Sequence, residues 1–221
     1  MKKTLLITLD FPPRTGGVAR YLINLAQELP SNRLVVLNPF VGHAYHTKFP
    51  VYTRNLVRRW LFPTWLPMFW HILRAVRREG IEMLWVAQPL PVGTVAWCVS
   101  KIFRIPYVVN IHGMDIHFAM RKFRKKWFFA RVLHGSSWIT VNSEYTAAEI
   151  MKLGDFHSKV RVVYPCPGNE ARVFRKQAVD DFLRRFALTE KRILLTVGRL
   201  VQRKGNDILI RSLPRILEKV P

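Results

Sequence analysis

Two short stretches of the chain have residue types and spacing that suit the handling of an anionic or sugar-like ligand. The first runs from Asp10 to Tyr21 and carries Pro12, Pro13, Gly16 and Gly17 between an apolar run and a helix-periodic segment. The prolines stop a strand, and the glycines remove two side chains where a helix begins and its N–H groups are unpaired. Such an end favours an anion, phosphate above all. A tight turn that binds nothing is the competing reading of the same glycines. The second stretch is His112-Gly113-Met114-Asp115-Ile116-His117. Its imidazoles and carboxylate could bond substrate hydroxyls, or His112 could simply hydrogen-bond the backbone. A metal site of His112, Asp115 and His117 matches no specific ligand spacing.

These residues need a frame, and the hydrophobic pattern supplies one. Short apolar runs at Thr4–Leu9, Arg33–Asn38, Ile81–Ala87, Pro106–Ile111, Ser137–Asn142 and Lys159–Tyr164 have strand length, with an edge strand expected around Val51. Helix-periodic segments lie between several of them, notably Val18–Leu29, Val92–Phe103 and a segment that Ser143 or Thr146 can cap and that ends at Gly154. Strands alternating with helices, without hairpin signals, imply a parallel α/β sheet covered on both faces. Ligands of such sheets bind beyond the carboxyl ends of the strands, where both the glycine loop and His112 fall. Further on, Arg175–Glu190 reads as a charged connection with one short helix. Arg192–Val197 then reads as a strand, Gly198–Gly205 as a loop and Asn206–Lys219 as a helix. One such unit cannot bury its own apolar faces, so the chain is expected to be a piece of something longer.

Charge narrows the partners. The 221 residues hold 36 Lys and Arg against 14 Asp and Glu, a formal charge of +22, which calls for an anionic partner. No acidic residue occurs between Leu29 and Arg78, where Trp60, Phe62, Trp65, Phe69 and Trp70 mingle with arginines, nor between Ile116 and Ser143. In the second interval Arg121, Lys122, Arg124, Lys125, Lys126 and Arg131 interleave with Phe118, Phe123, Trp127, Phe128 and Phe129. The aromatics either belong to the core or lie on anionic lipid, with Trp at headgroup level. No RNA-binding signature or basic recognition helix points to nucleic acid. Trp60–Leu73 is about half a spanning length and is broken by two prolines, so no transmembrane helix is expected. Cys98 and Cys166 form no ligand pattern and fit reduced thiols in a cytoplasmic setting.

Taken together, the stretches Phe11–Tyr21, Ile105–Asp115, Val141–Tyr145, Gly168–Phe174 and Val197–Gly205 resemble family 4 glycosyltransferases of the two-domain GT-B fold, over nearly the whole chain. The resemblance implies a Rossmann-like acceptor-side domain over residues 1–187 and an incomplete nucleotide-sugar domain over 188–221. It implies retaining transfer of a sugar from a nucleotide-sugar donor to a glycan or lipid-linked acceptor, with no cofactor and no required divalent metal. His112 would contact the transferred sugar, Gly16 and Gly17 would let the donor diphosphate and acceptor approach, and Asp115 would assist with hydroxyls. Arg199 and Lys204 would stabilise the departing nucleoside diphosphate, one as a planar fork and the other as a point charge. Arg121, Lys122, Arg124, Lys125, Lys126 and Trp127 are the candidate membrane surface, making a peripheral location at the inner face of the plasma membrane the expectation. Pro165–Gly168 departs from the family's usual Pro-Asn-Gly, and the family's later pair of glutamates is not in this sequence. Another GT-B enzyme, an epimerase or phosphorylase, or a non-catalytic basic module are the alternatives.

Overall fold

The computed structural model describes residues 1–40, 47–166 and 175–219. The chain divides into two compact units, Met1–Asn169 and Glu170–Pro221.

In the first unit seven strands form one parallel sheet: β1 (Thr4–Ile7), β2 (Leu34–Asn38), β3 (Val51–Thr53), β4 (Met83–Val86), β5 (Tyr107–Ile111), β6 (Trp138–Val141) and β7 (Val160–Val162). Their spatial order is β3-β2-β1-β4-β5-β6-β7, so the first strand lies in the interior beside the central β4, and the connectivity reverses between β1 and β4. Thr4 pairs in register with Leu34 on one side and Met83 on the other. The strands are apolar throughout because both faces are covered. Leu5, Ile7, Leu84, Val86, Val109 and Ile139 point into one core, while Leu6, Val36, Trp85 and Ala87 point into a second on the opposite face. Each such side chain, fully buried, contributes about 1.5–3 kcal/mol of transfer free energy. The second face also holds one buried polar relay. Asn110 Oδ1 accepts from Trp85 Nε1 at 2.8 Å and from the Thr140 hydroxyl, so three strands are tied without an orphaned group.

Helices connect the strands. On the first core pack α2 (Leu66–Glu79), α3 (Thr94–Phe103), α4 (Gly113–Met120), α5 (Phe123–Gly135) and α6 (Glu144–Met151), while α1 (Gly17–Gln27) covers the second. α2 buries Met68, Ile72, Leu73, Ala75 and Val76 at helical spacing and stops at Gly80, whose φ of 61° closes the last turn as only glycine does cheaply. Pro67 sits in its first turn, where a missing N–H costs nothing, so the proline-rich stretch before Leu73 is a helix start and not an interruption. Ser143 caps α6 by accepting the Thr146 N–H at 3.2 Å, as expected. The β3 edge strand expected near Val51 is present.

The second unit contains α7 (Lys176–Arg185) and α8 (Asn206–Lys219), with a 3-10 turn at Gln202–Lys204. The strand expected over Arg192–Val197 does not form, and that segment has no regular secondary structure. Among the described residues of the unit no neighbouring strand exists to take its N–H and C=O groups, so the apolar run has no ladder to join. The expected stretch Gly168–Phe174, with the end of Pro165–Gly168, lies outside the described residues. No helix among the described residues is long and apolar enough to cross a membrane.

Candidate functional site at the carboxyl edge of the sheet

Because all strands run the same way, the loops after β1, β4, β5 and β6 gather at one edge. Thr8, at the end of β1, folds the following loop back: its hydroxyl donates to the Asp10 carbonyl and accepts the Asp10 N–H, both at 2.9 Å. Gln88, after β4, pins this loop from the neighbouring strand. Its Oε1 accepts the Leu9 N–H at 3.0 Å, and its Nε2 donates to Thr8 Oγ1 and Asp10 Oδ2 at 3.3 Å each. Asp10 is paired with Arg14 at 2.8 Å. The loop is therefore held shut at its base while Gly16 and Gly17 lie exposed at its top. A Cβ added at either glycine would meet nothing within 4 Å, so the space above them is open.

Opposite this loop, His112 ends β5 and caps α4. Asp115, three residues on, reaches back to accept the His112 N–H at 2.8 Å, while its own N–H donates to the His112 carbonyl at 2.8 Å. This reciprocal closure fixes the His112 backbone, and the imidazole meets the Tyr21 ring in a T-shaped contact, 5.6 Å between centroids at 87°. Tyr21 is held in turn by donating to the Val163 carbonyl at 3.2 Å, and burial pushes its phenol up to about 12. Thr146 Oγ1 lies 3.7 Å from where a Cβ on Gly113 would stand, which sets the start of α6 beside the loop after β5. Thr146 Oγ1 donates to Asn142 Oδ1 at 3.0 Å, a bond within the segment that joins β6 to α6.

Electrostatics follow from this enclosure. Burial lowers the His112 pKa against the opposing pull of Asp10, so the imidazole is neutral at pH 7. Burial lifts the Asp115 carboxyl to about 6, helped by Asp10 and resisted by the bond from the His112 N–H. His112 Nε2 is buried and has no hydrogen-bond partner among the described residues. A neutral ring nitrogen left without a partner beside an open glycine loop is suited to bond a ligand hydroxyl. His117, by contrast, turns to the Arg121 guanidinium at 2.9 Å and does not join His112 and Asp115.

Gly16, Gly17, His112 and Asp115 thus lie on loops that share one edge. Sequence reasoning gave no role to Thr8 or Gln88, which sit just past strand ends, nor to the Asp10 carboxylate and the Tyr21 ring within the stretch it singled out; Gln88 and Tyr21 find their partners in distant loops. Arg121 and Lys122 occupy the turn between α4 and α5, and Arg124, Lys125, Lys126 and Trp127 the start of α5, all exposed. In the second unit Arg199 and Lys204 are exposed on the loop before α8, the Lys204 stem lying 3.9 Å from where a Cβ on Gly198 would be. Gly205 closes that loop at a φ of 67°.

A parallel sheet with polar loops converging at its strand-order reversal defines a ligand-binding α/β protein of Rossmann-like type. The chain belongs to Glycosyltransferase Family 4, whose family profile matches residues 15–166. It is 25% identical over its whole length to a GDP-mannose-dependent alpha-(1-6)-phosphatidylinositol monomannoside mannosyltransferase of Mycobacterium tuberculosis, covering 59% of that protein. The protein of the same name from Mycolicibacterium smegmatis is 26% identical over 98% of the chain, covering 58% of that protein. The chain therefore spans somewhat under three fifths of these relatives. Among solved structures, Anabaena Alr3699/HepE in complex with UDP and glucose matches 97% of the chain and 58% of its own, with a TM-score of 0.78 at 17% identity. This likeness bears out the expected GT-B, Rossmann-like fold.

Proposed function

We propose that this chain is the acceptor-side domain, with the opening of the nucleotide-sugar domain from residue 188, of a retaining glycosyltransferase acting in cell-envelope glycolipid or polysaccharide synthesis. The observation that carries the proposal is the unpartnered Nε2 of His112, held by Asp115 beside the open Gly16–Gly17 loop. The donor is a nucleoside diphosphate sugar. GDP-mannose is the first to try, since the named relatives use it.

In this reading the acceptor hydroxyl attacks the anomeric carbon on the face the diphosphate leaves. The bond from that carbon to the phosphate oxygen breaks as the new glycosidic bond forms, and the acceptor proton passes to the departing diphosphate. His112 bonds a hydroxyl of the transferred sugar, and Asp115 acts through it as a positioning residue. Gly16 and Gly17 leave room for the diphosphate and acceptor. Arg199 and Lys204 meet the charge that develops on the leaving group, which is worth most in a site shielded from water. The nucleotide-sugar is substrate; no cofactor or metal enters these steps.

The test places the chain in a protein with a complete second domain and follows donor consumption and product by NMR. His112→Ala and Lys204→Ala should each lower kcat by about 100-fold or more. Wild-type turnover in both variants would remove the site assignment, and an inverted anomeric centre in the product would remove the retaining mechanism.

A further inference from the structure

The helical layer on the first core has an outer surface that glycosyl transfer does not require. α2, α3 and α5 pack side by side there, α3 in the middle. Across these three helices the only acidic residue is Glu79, which is committed to Lys3 at 3.3 Å and to the Tyr52 hydroxyl. Arg74, Arg77 and Arg78 of α2, with Trp70 and His71, line an open groove. On α5, Arg124, Lys125, Lys126 and Arg131 are all exposed.

Aromatic rings stand out of the same layer and decide what it is for. Phe123 is 84% exposed, Phe62 86% and Trp60 76%, values that exclude the core reading for these three. Trp70, Phe118 and Trp127 are also exposed, whereas Phe129 is buried and Trp65 and Phe69 pack on the core. Arginines stack on several of the exposed rings, Arg58 on Trp60 at 5.7 Å, Arg121 on Phe118 at 5.1 Å and Arg131 on Trp127 at 4.8 Å. The rings are held in place: Arg58 N–H donates to the Thr64 carbonyl at 2.9 Å and closes the turn that presents Trp60 and Phe62. Helix direction then fixes where they sit. α2 and α5 lead back to the amino ends of β4 and β6, so each begins about 20 Å away, toward the carboxyl edge. Trp60, Phe62 and Phe123 all belong to those beginnings, on the edge that also carries His112.

We propose that this face docks on an anionic lipid bilayer, with Trp60, Phe62, Phe123 and Trp127 at headgroup depth and the surrounding Arg and Lys residues on lipid phosphates. Exposed aromatics interleaved with cations are what an interfacial surface requires: the rings gain from leaving water, and the cations gain from the surface potential. A bulk polyanion would use the charges alone. The proposal stands on the exposed face and does not depend on the transfer reaction.

The test measures binding of the 221-residue chain to vesicles of phosphatidylglycerol and phosphatidylcholine against phosphatidylcholine alone, by co-sedimentation at low and physiological salt. Binding should be confined to the anionic vesicles and weaken with salt. Lys122→Gln, Lys125→Gln and Lys126→Gln together should weaken it about 100-fold, roughly fivefold per charge. Phe123→Ala with Trp60→Ala should weaken vesicle binding while leaving binding to inorganic polyphosphate, which has no bases to stack, unchanged. All five side chains are exposed, and the variants should keep the wild-type far-ultraviolet circular dichroism. Equal, negligible binding to both vesicle types at low salt would overturn the proposal. So would an unaltered affinity of the triple variant, or polyphosphate displacing the protein from vesicles with the aromatic substitutions having no effect.

Discussion

Replacing Asp115 by Asn should make the protein more stable at neutral pH and less active. The carboxyl has a reference value of 3.8 and is lifted to about 6 in the folded chain, chiefly by burial. The folded state therefore holds this proton more tightly than the unfolded state, and its ionised form is a cost to folding. The cost is absent below about pH 3.8, grows between there and about pH 6, and is complete above that. A shift of that size corresponds to at most about 3 kcal/mol at pH 8. Asparagine keeps an oxygen to accept the His112 N–H and carries no charge, but its NH2 group must also be desolvated. That takes back part of the gain and leaves about 1–2 kcal/mol. For a domain of this size the melting temperature should rise by roughly 2–8 °C at pH 8. Thermal unfolding followed by circular dichroism, wild type beside Asp115→Asn at pH 4 and pH 8, isolates this group because every other carboxylate is common to both. The stabilisation should be present at pH 8 and gone at pH 4. A difference of the same size at both values, or a variant less stable at pH 8, would refute the reasoning. If stability rises while sugar transfer falls, the buried carboxylate is kept for the site and not for the fold.

Three other substitutions probe the frame. Gly17→Ala meets no protein atom and should leave the melting temperature within about 1 °C, while kcat/KM for the donor falls if substrate passes close to the backbone; calorimetry and steady-state kinetics separate the two. Gln88→Ala removes the side chain that holds Leu9, Thr8 and Asp10 together, and should cost about 1–3 kcal/mol and speed exchange of the Leu9 amide in hydrogen-exchange measurements. Gly93→Ala would put a Cβ 2.8 Å from Val132 Cγ1, between the start of α3 and α5, and should destabilise by about 1–3 kcal/mol in denaturant titration with the slope unchanged.

How far the sequence carried can be judged residue by residue. The strands were legible because both faces of the sheet are buried, which writes each strand as a short unbroken apolar run. α8 was legible to its ends from periodicity alone. Arg192–Val197 shows the limit of that signal: composition supplies the tendency to be a strand, but a ladder needs a neighbour. α2 was hidden because Pro63 and Pro67 read as breaks, although a proline at a helix start is tolerated. At the site, His112 and Asp115 stood out because their pairing is local, three residues apart. Gln88 did not, since its meaning lies in contacts to Thr8, Leu9 and Asp10 about 80 residues away, which only the sheet order creates. Whether Phe123 faced lipid or core depended on which side of α5 met α3, and periodicity in an aromatic-rich helix does not settle that.

The position of β1 also carries a consequence for how the protein is made. β1 is made before β2 and β4 yet lies between them, and its second edge is completed only by β4, whose Val86 pairs with Ile7. At typical elongation rates that partner emerges roughly 4–16 s later. Through that interval Leu5, Leu6 and Ile7 have apolar surface to hide and backbone groups to satisfy with half a sheet at most. Birth of the domain is thus a waiting problem. Early-terminated chains that include β2 but lack β4 should need chaperones more than any later truncation of the first unit, because they carry a strand that is fully buried in the finished sheet with one side open.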